Sequence, residues 1–250
     1  MEVSVDGADP APFLSARDVF ETERDLARPV EVTVRADPDE RTWAAHHDDR
    51  HVLNISRAAA TSAMARELAL HEYAHMARHE EGHPSHTQST EEALFLALAG
   101  REVERGALAH CYQIANHVKD IYADDITLSV GPTSKLVSFL ESELATAVAD
   151  RPATFRGQRI TAAPDPQITA VNAAFALALL ERHDAIGDDH PIYALAHAAG
   201  EDAPGLDIEG FKRRFKHLVR DPGASEHRRA LTETIRAYVD ARGAGGPAAD

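Results

Sequence analysis

The sequence predicts an α+β protein that is mostly helical: a small N-terminal antiparallel or mixed sheet, then a motif-bearing helix, then a helical C-terminal unit. Three observations carry that prediction. Strand-like alternation is confined to about the first 56 residues, and 3.6-residue apolar spacing takes over beyond it. One long helical stretch holds the pattern His71-Glu72-Tyr73-Ala74-His75. The chain has 250 residues, 44% of them hydrophobic, which is ample for a real core.

In chain order, residues 1–11 read as a loose leader. FLSARDVFETERDLAR (13–28) has helical spacing, and PVEVTVRA (29–36) alternates as a strand. DPDE (37–40) is a turn, and RTWAAH and HVLNIS about HDDR (41–56) form a hairpin. A long helix covers about 58–80, followed by the polar loop EGHPSHTQS (81–89). Ser89-Thr90-Glu91-Glu92 is a capping-box pattern with Ser89 as N-cap and Glu92 at the third helical position. The ALFLALAG that follows is apolar on all sides and reads as a buried helix. Further helices are expected at about 107–124, 134–149, 166–185, 191–199, 206–219 and 225–241. DRPATFRGQRITAAPDP (150–166) is the expected boundary between a metal-binding domain (1–150) and a helical subdomain (151–241), with a frayed tail at 242–250.

Asp plus Glu number 41 against 26 Lys plus Arg, a net charge of −15. Only four of the basic residues are lysines: Lys119, Lys135, Lys212 and Lys216. An acidic, lysine-poor chain resembles proteins of salt-loving archaea, although a GC-rich genome also favours Ala and Arg. The negative charge argues against nucleic-acid partners. No apolar run spans a bilayer, and the start MEVSVDGADP lacks the basic-then-apolar layout of a signal peptide. A single cysteine, Cys111, excludes internal disulfides and cysteine metal cages. A cytoplasmic protein is the simplest expectation.

His-Glu-x-x-His has a physical rationale on a helix. Residues four apart lie one turn above each other, so His71 and His75 can reach one metal ion. Glu72, turned about 100° away, can then accept a proton without being a ligand. On a helical wheel Glu67 and Arg78 join the two histidines, while Leu70, Ala74, Ala77 and Tyr73 form the opposite apolar face. The histidines therefore face water or a cleft. A strand such as HVLNIS beside this helix could hold an extended chain by β-addition.

These residues resemble the active-site helix of the zincins, the HExxH zinc metallopeptidases, and the strand-then-helix order over roughly residues 30–125 is similar. The chain also resembles a family of haloarchaeal proteins that carry this motif. The zincin resemblance implies Zn²⁺ as cofactor, a third protein ligand, and an open position for water. The metzincin pattern is excluded, because Arg78 and Glu81 stand where it needs glycine and histidine. His79 lies about 12 Å along the axis from His71, too far to share an ion with it. His83 and His86 could fold back from their loop. Glu92, followed by alanine, resembles the gluzincin third ligand, but its helix cap explains it as well. By resemblance to gluzincin and aspzincin patterns, Asp120 would be the third ligand, with Asp124 bracing a motif histidine and Asn116 one turn before. Asn116, Asp120 and Asp124 share one helix face, which solvation alone would also explain.

His110 and His117 lie beside that face and could meet a substrate; Tyr73 reads as core, and Tyr122 could reach a cleft. FKRRFKHLVR (211–220) is a basic stripe that reads as an ordinary amphipathic helix with Phe211, Phe215 and Leu218 inward. The expected function is a cytoplasmic zinc metallopeptidase acting on a peptide or protein substrate, with Glu72 as general base. The alternative is a degenerate zincin that serves as a non-catalytic binding or regulatory module.

Overall fold

The computed structural model describes residues 1–37, 40–150, 154–155, 158–159 and 165–244. It is α+β, with a small mixed sheet at the N-terminal end followed by helices, as the sequence predicts.

The sheet contains β1 (Val3–Asp6), β2 (Val30–Arg35), β3 (Trp43–His46) and β4 (His51–Ser56), in the order β1-β2-β4-β3. β1 and β2 are parallel, as are β2 and β4, whereas β3 runs antiparallel to β4 and forms an edge. Val3, Val30, His51 and then Val5, Val32, Leu53 align across the parallel strands. Val30, Val32, Leu53 and Ile55 are buried, which fixes the register because a one-residue slip would expose them all.

The expected loose leader is instead β1. Val3 and Val5 alternate, but the strand is four residues long and its hydrogen bonds come from β2, far along the chain. The helix expected at 13–28 is α1 (Ala11–Phe20). Beyond it the Ala27 and Arg28 amides donate to the Glu80 carboxylate at 2.7 and 3.0 Å, and Pro29 disfavours helix in the residue before it. HVLNIS is β4, an interior strand, so the edge that could accept an extended chain is β3.

The helix expected at 58–80 divides into α2 (Arg57–Ala60) and α3 (Ala65–Glu80). Thr61 Oγ1 and Ser62 Oγ donate to the Arg57 and Ala59 carbonyls, and the Met64 amide donates to Ser62 Oγ, so these side chains compete with the helical ladder. The loop at 81–89 contains one further turn, α4 (Pro84–Thr87). α5 (Thr90–Leu98) begins as expected, with Ser89 Oγ accepting from the Glu92 amide at 3.1 Å. Its burial is not as expected: Ala93, Leu94 and Ala97 are buried, but Phe95 is 74% exposed.

α6 (Arg105–Val130) and α7 (Thr133–Ala149) follow, then the short antiparallel pair β5 (Thr154–Phe155) and β6 (Gln158–Arg159). α8 (Pro166–Arg182), α9 (Ile192–Glu201), α10 (Ile208–Lys216) and α11 (Ala224–Ala244) complete the chain. The tail beyond residue 244 lies outside the described residues.

Two compact units result, and they do not part at 150–166. One comprises Met1–Thr87 with Lys119–Lys135, the other Gln88–Val118 with Leu136–Asp250. Each half of α6 therefore belongs to a different unit. In the first unit, Phe13, Phe20, Val32, Leu53, Ile55, Tyr73, Met76 and Ile126 join one core. Tyr73 is in that core as expected, with its hydroxyl donating to the Phe13 carbonyl at 3.2 Å. In the second unit, α8 is buried along most of its length. Phe211, Phe215 and Leu218 turn inward, and Lys212 and Lys216 pair with Glu181 at 3.0 and 2.8 Å, so the basic stripe is part of that unit's own packing.

Candidate metal centre

The centre lies wholly within the first unit. α3 supplies His71, Glu72 and His75, and the second half of α6 supplies Asp120 and Asp124. Arg78 ties the two helices, donating from Nε to the Tyr122 carbonyl at 2.9 Å. Ala69, Leu70, Tyr73, Ala74, Met76 and Ala77 bury the opposite face of α3, as the wheel predicts. The histidines are thereby turned toward the acidic face of α6.

His71 Nε2 and His75 Nε2 are 3.0 Å apart. Asp120 Oδ1 lies 3.8 Å from the first and 3.4 Å from the second. Among the described residues this is the group of three in which one ligand atom from each lies within 4.8 Å of the others, and it can hold a metal ion. The three side chains are partly buried. Glu92, the alternative third ligand, belongs to the second unit; its carboxylate is well exposed and lies 3.6 Å from Arg228. Asn116 also belongs to the second unit and is exposed. His83 and His86 do fold back from their loop, but behind His75 rather than onto the shared point.

The hydrogen bonds assign the tautomers. His71 Nδ1 is 2.7 Å from Asp124 Oδ1, so it donates a proton there and leaves Nε2 with a lone pair in the neutral ring. On the other side a backbone amide sets the pattern. Ser85 N–H donates to His83 Nδ1 at 3.2 Å, so that nitrogen is an acceptor. Ser85 Oγ, 2.7 Å from the same nitrogen, must then spend its proton on it. Ser85 Oγ can only accept from His86 Nδ1–H, at 2.7 Å, which leaves His86 Nε2 bare. Burial, and then nearby positive groups such as His75 and Lys119, push the His86 pKa far down, so this ring is neutral. His75 Nδ1 therefore donates to His86 Nε2 at 2.7 Å, and His75 Nε2 is bare.

Two lone pairs thus face each other at 3.0 Å with a carboxylate oxygen beside them. Such an arrangement is repulsive unless a cation lies between, either a proton or a metal ion. The surroundings favour positive charge. Burial opposes charging His71, but Asp124, then Asp120 and Glu72, outweigh it and raise its pKa from 6.5 to about 10. Nitrogen–nitrogen separations near 3 Å also suit two imidazoles on one ion, since each binds at about 2.0–2.1 Å.

Glu72 is 6% exposed and its carboxylate has no hydrogen-bond donor among the described residues. Burial raises its pKa above 4.5, against the pull of His75 and His71. A buried carboxylate that is short of donors and raised in proton affinity is suited to accept a proton.

Several other side chains are placed differently from expectation. His110 and His117 are in the second unit and engaged there: His110 Nδ1 is 2.6 Å from the Tyr238 hydroxyl, and His117 Nε2 is 2.8 Å from Asn172 Oδ1. Tyr122 is buried, with its ring 4.7 Å from that of His83, and reaches no cleft. The Ser85–His86 brace was not anticipated. Its one sequence signal is Pro84 directly after His83, a residue pre-set for the first position of a helical turn.

Fold and site together define an α+β protein with a His-Glu-x-x-His helix and a converging aspartate able to hold a metal ion. The chain belongs to a family of unknown function, DUF5781, whose model matches residues 1–240. Comparison with curated proteins and with solved structures gives no match. Among the described residues no helix is long and apolar enough to cross a membrane.

Proposed function

We propose that this protein is a zinc-dependent metallohydrolase, a peptidase in which His71, His75 and Asp120 hold Zn²⁺. The observation that carries the reading is the convergence of two imidazole nitrogens, 3.0 Å apart, beside the Asp120 carboxylate. Two nitrogens and one oxygen are the donor set of many catalytic zinc sites, which keep a further position open. Zinc bound there supplies a Lewis acid that acidifies water and polarises a carbonyl. Asp124 holds His71 in the liganding tautomer, and His86, backed by Ser85, does the same for His75. Glu72 accepts the proton of the attacking water at its carboxylate and returns it to the leaving amine. The free edge of β3, which packs beside α3, can align an extended peptide by β-addition, which favours peptides over other acyl substrates. A cytoplasmic setting agrees with a lone, buried cysteine, Cys111.

The test is cleavage of an unstructured protein by the purified, zinc-loaded chain. Hydrolysis that is abolished by a chelator and restored by zinc is expected. Zinc bound tightly with no cleavage of any unstructured protein or peptide would instead make the chain a non-catalytic binding module.

A further inference from the structure

A second group of imidazoles lies in the same unit, where β3, β4 and the last turn of α3 meet. His46 ends β3 and His51 begins β4, and the two are directly paired across the strands. Their Nδ1 atoms are 3.0 Å apart, the same separation as the Nε2 atoms of His71 and His75. His51 Nε2 is 3.0 Å from Glu80 Oε1, and Glu80 also accepts the Ala27 and Arg28 amides. The ring of His79 stacks on that of His46, with centroids 4.0 Å apart and planes at 16°. His79 Nδ1 is buried and has no hydrogen-bond partner.

We propose that His46, His51 and His79 form a second metal site, for a first-row transition ion such as Zn²⁺, next to the Glu80 carboxylate. Glu80 is ionised and receives the His51 Nε2 proton, so His51 Nδ1 carries a lone pair that accepts the His46 Nδ1 proton, and a metal ion would take that proton's place as His46 keeps its proton on Nε2 instead. This carboxylate–histidine arrangement is the device that orients metal-bound imidazoles elsewhere. His51 is fully buried, so its ring cannot turn out to solvent. The orphaned His79 nitrogen is the third donor; its ring, stacked on His46 and 6.0 Å from His51 between centroids, has to turn to join the other two, because the three are not within 4.8 Å of one another. The C-terminal end of α3, where His79 and Glu80 sit, carries the negative end of the helix dipole and favours a cation. Imidazole donors select zinc, copper or nickel over calcium or magnesium.

The experiment is zinc titration of the chelator-stripped full chain by calorimetry. Wild type should bind two equivalents, His75→Ala one, His46→Gln one, and the double variant none. The His75→Ala background makes the test independent of the hydrolase reading, because the first site is already disabled. If His46→Gln does not fold, His79→Asn reads the same stoichiometry, since its ring stacks on the cluster rather than pairing in the sheet. A wild type with one equivalent and a His75→Ala variant with none would overturn the second site. So would an equivalent in His75→Ala that survives both His46→Gln and His79→Asn.

Discussion

α6 runs through both units, and its histidines and carboxylates illustrate two uses of the same kinds of residue. In its first half, His110 meets the Tyr238 hydroxyl and His117 meets Asn172 while stacking on Phe175 at 4.2 Å. Those partners are neutral and belong to the same unit as the rings. In the second half, Asp120 and Asp124 face two imidazoles whose outer nitrogens are tied and whose inner nitrogens confront each other. The difference teaches that a histidine is placed to take an ion when its far nitrogen is committed and its near one converges with another imidazole nitrogen and a carboxylate. Abundance of histidine alone does not make a site.

The comparison can be broken by substitution, from the strongest effect to the weakest. Glu72→Gln should retain zinc and the fold but lower hydrolysis by about 10²–10⁴-fold, because an amide cannot take the proton; steady-state cleavage and bound zinc report the two separately. His75→Ala removes a donor atom, and in a His46→Gln background, where the second group is disabled, should weaken zinc binding by more than about 100-fold in a competition titration, beyond the loss from removing a brace. Asp124→Asn keeps the shape but loses the charge that holds His71, and an affinity loss of about 10–100-fold is expected in the same titration. His86→Phe leaves His75 Nδ1 without its acceptor, and the loss should sit near the lower end of that range, about 10-fold. His117→Ala, Asn116→Ala and Glu92→Gln should leave zinc affinity within about twofold of wild type, since these side chains do not brace the metal ligands. A large loss in His117→Ala or Asn116→Ala would mean that the two halves of α6 are not divided in function as described, and a large loss in Glu92→Gln would bring α5 into the site.

How much of this was legible in the sequence follows from how local each feature is. His71 and His75 are four residues apart on one helix with Glu72 between them, so the shared face of the two histidines could be read directly. Asp120 and Asp124 were legible as a face of α6, and the zincin resemblance gave them roles. Only the fold brings that face to α3. The Ser85–His86 brace depends on the path of an eleven-residue connection from His75 to His86, which periodicity cannot supply. β1 was missed because a four-residue strand owes its existence to partners in β2. The exposed Phe95 shows the opposite failure: an all-apolar helix was read as buried, but only one side of it is covered. The discontinuous units escaped because composition marks linkers, not a helix shared between two cores.

The most direct test of the central claim is zinc K-edge X-ray absorption on the His46→Gln protein, in which the second group of imidazoles is disabled, loaded with one equivalent of zinc. The account predicts two imidazole nitrogens at about 2.0–2.1 Å together with a carboxylate oxygen, the imidazole count falling by one in His75→Ala. An all-oxygen coordination shell, or a shell left unchanged by His75→Ala, would contradict it.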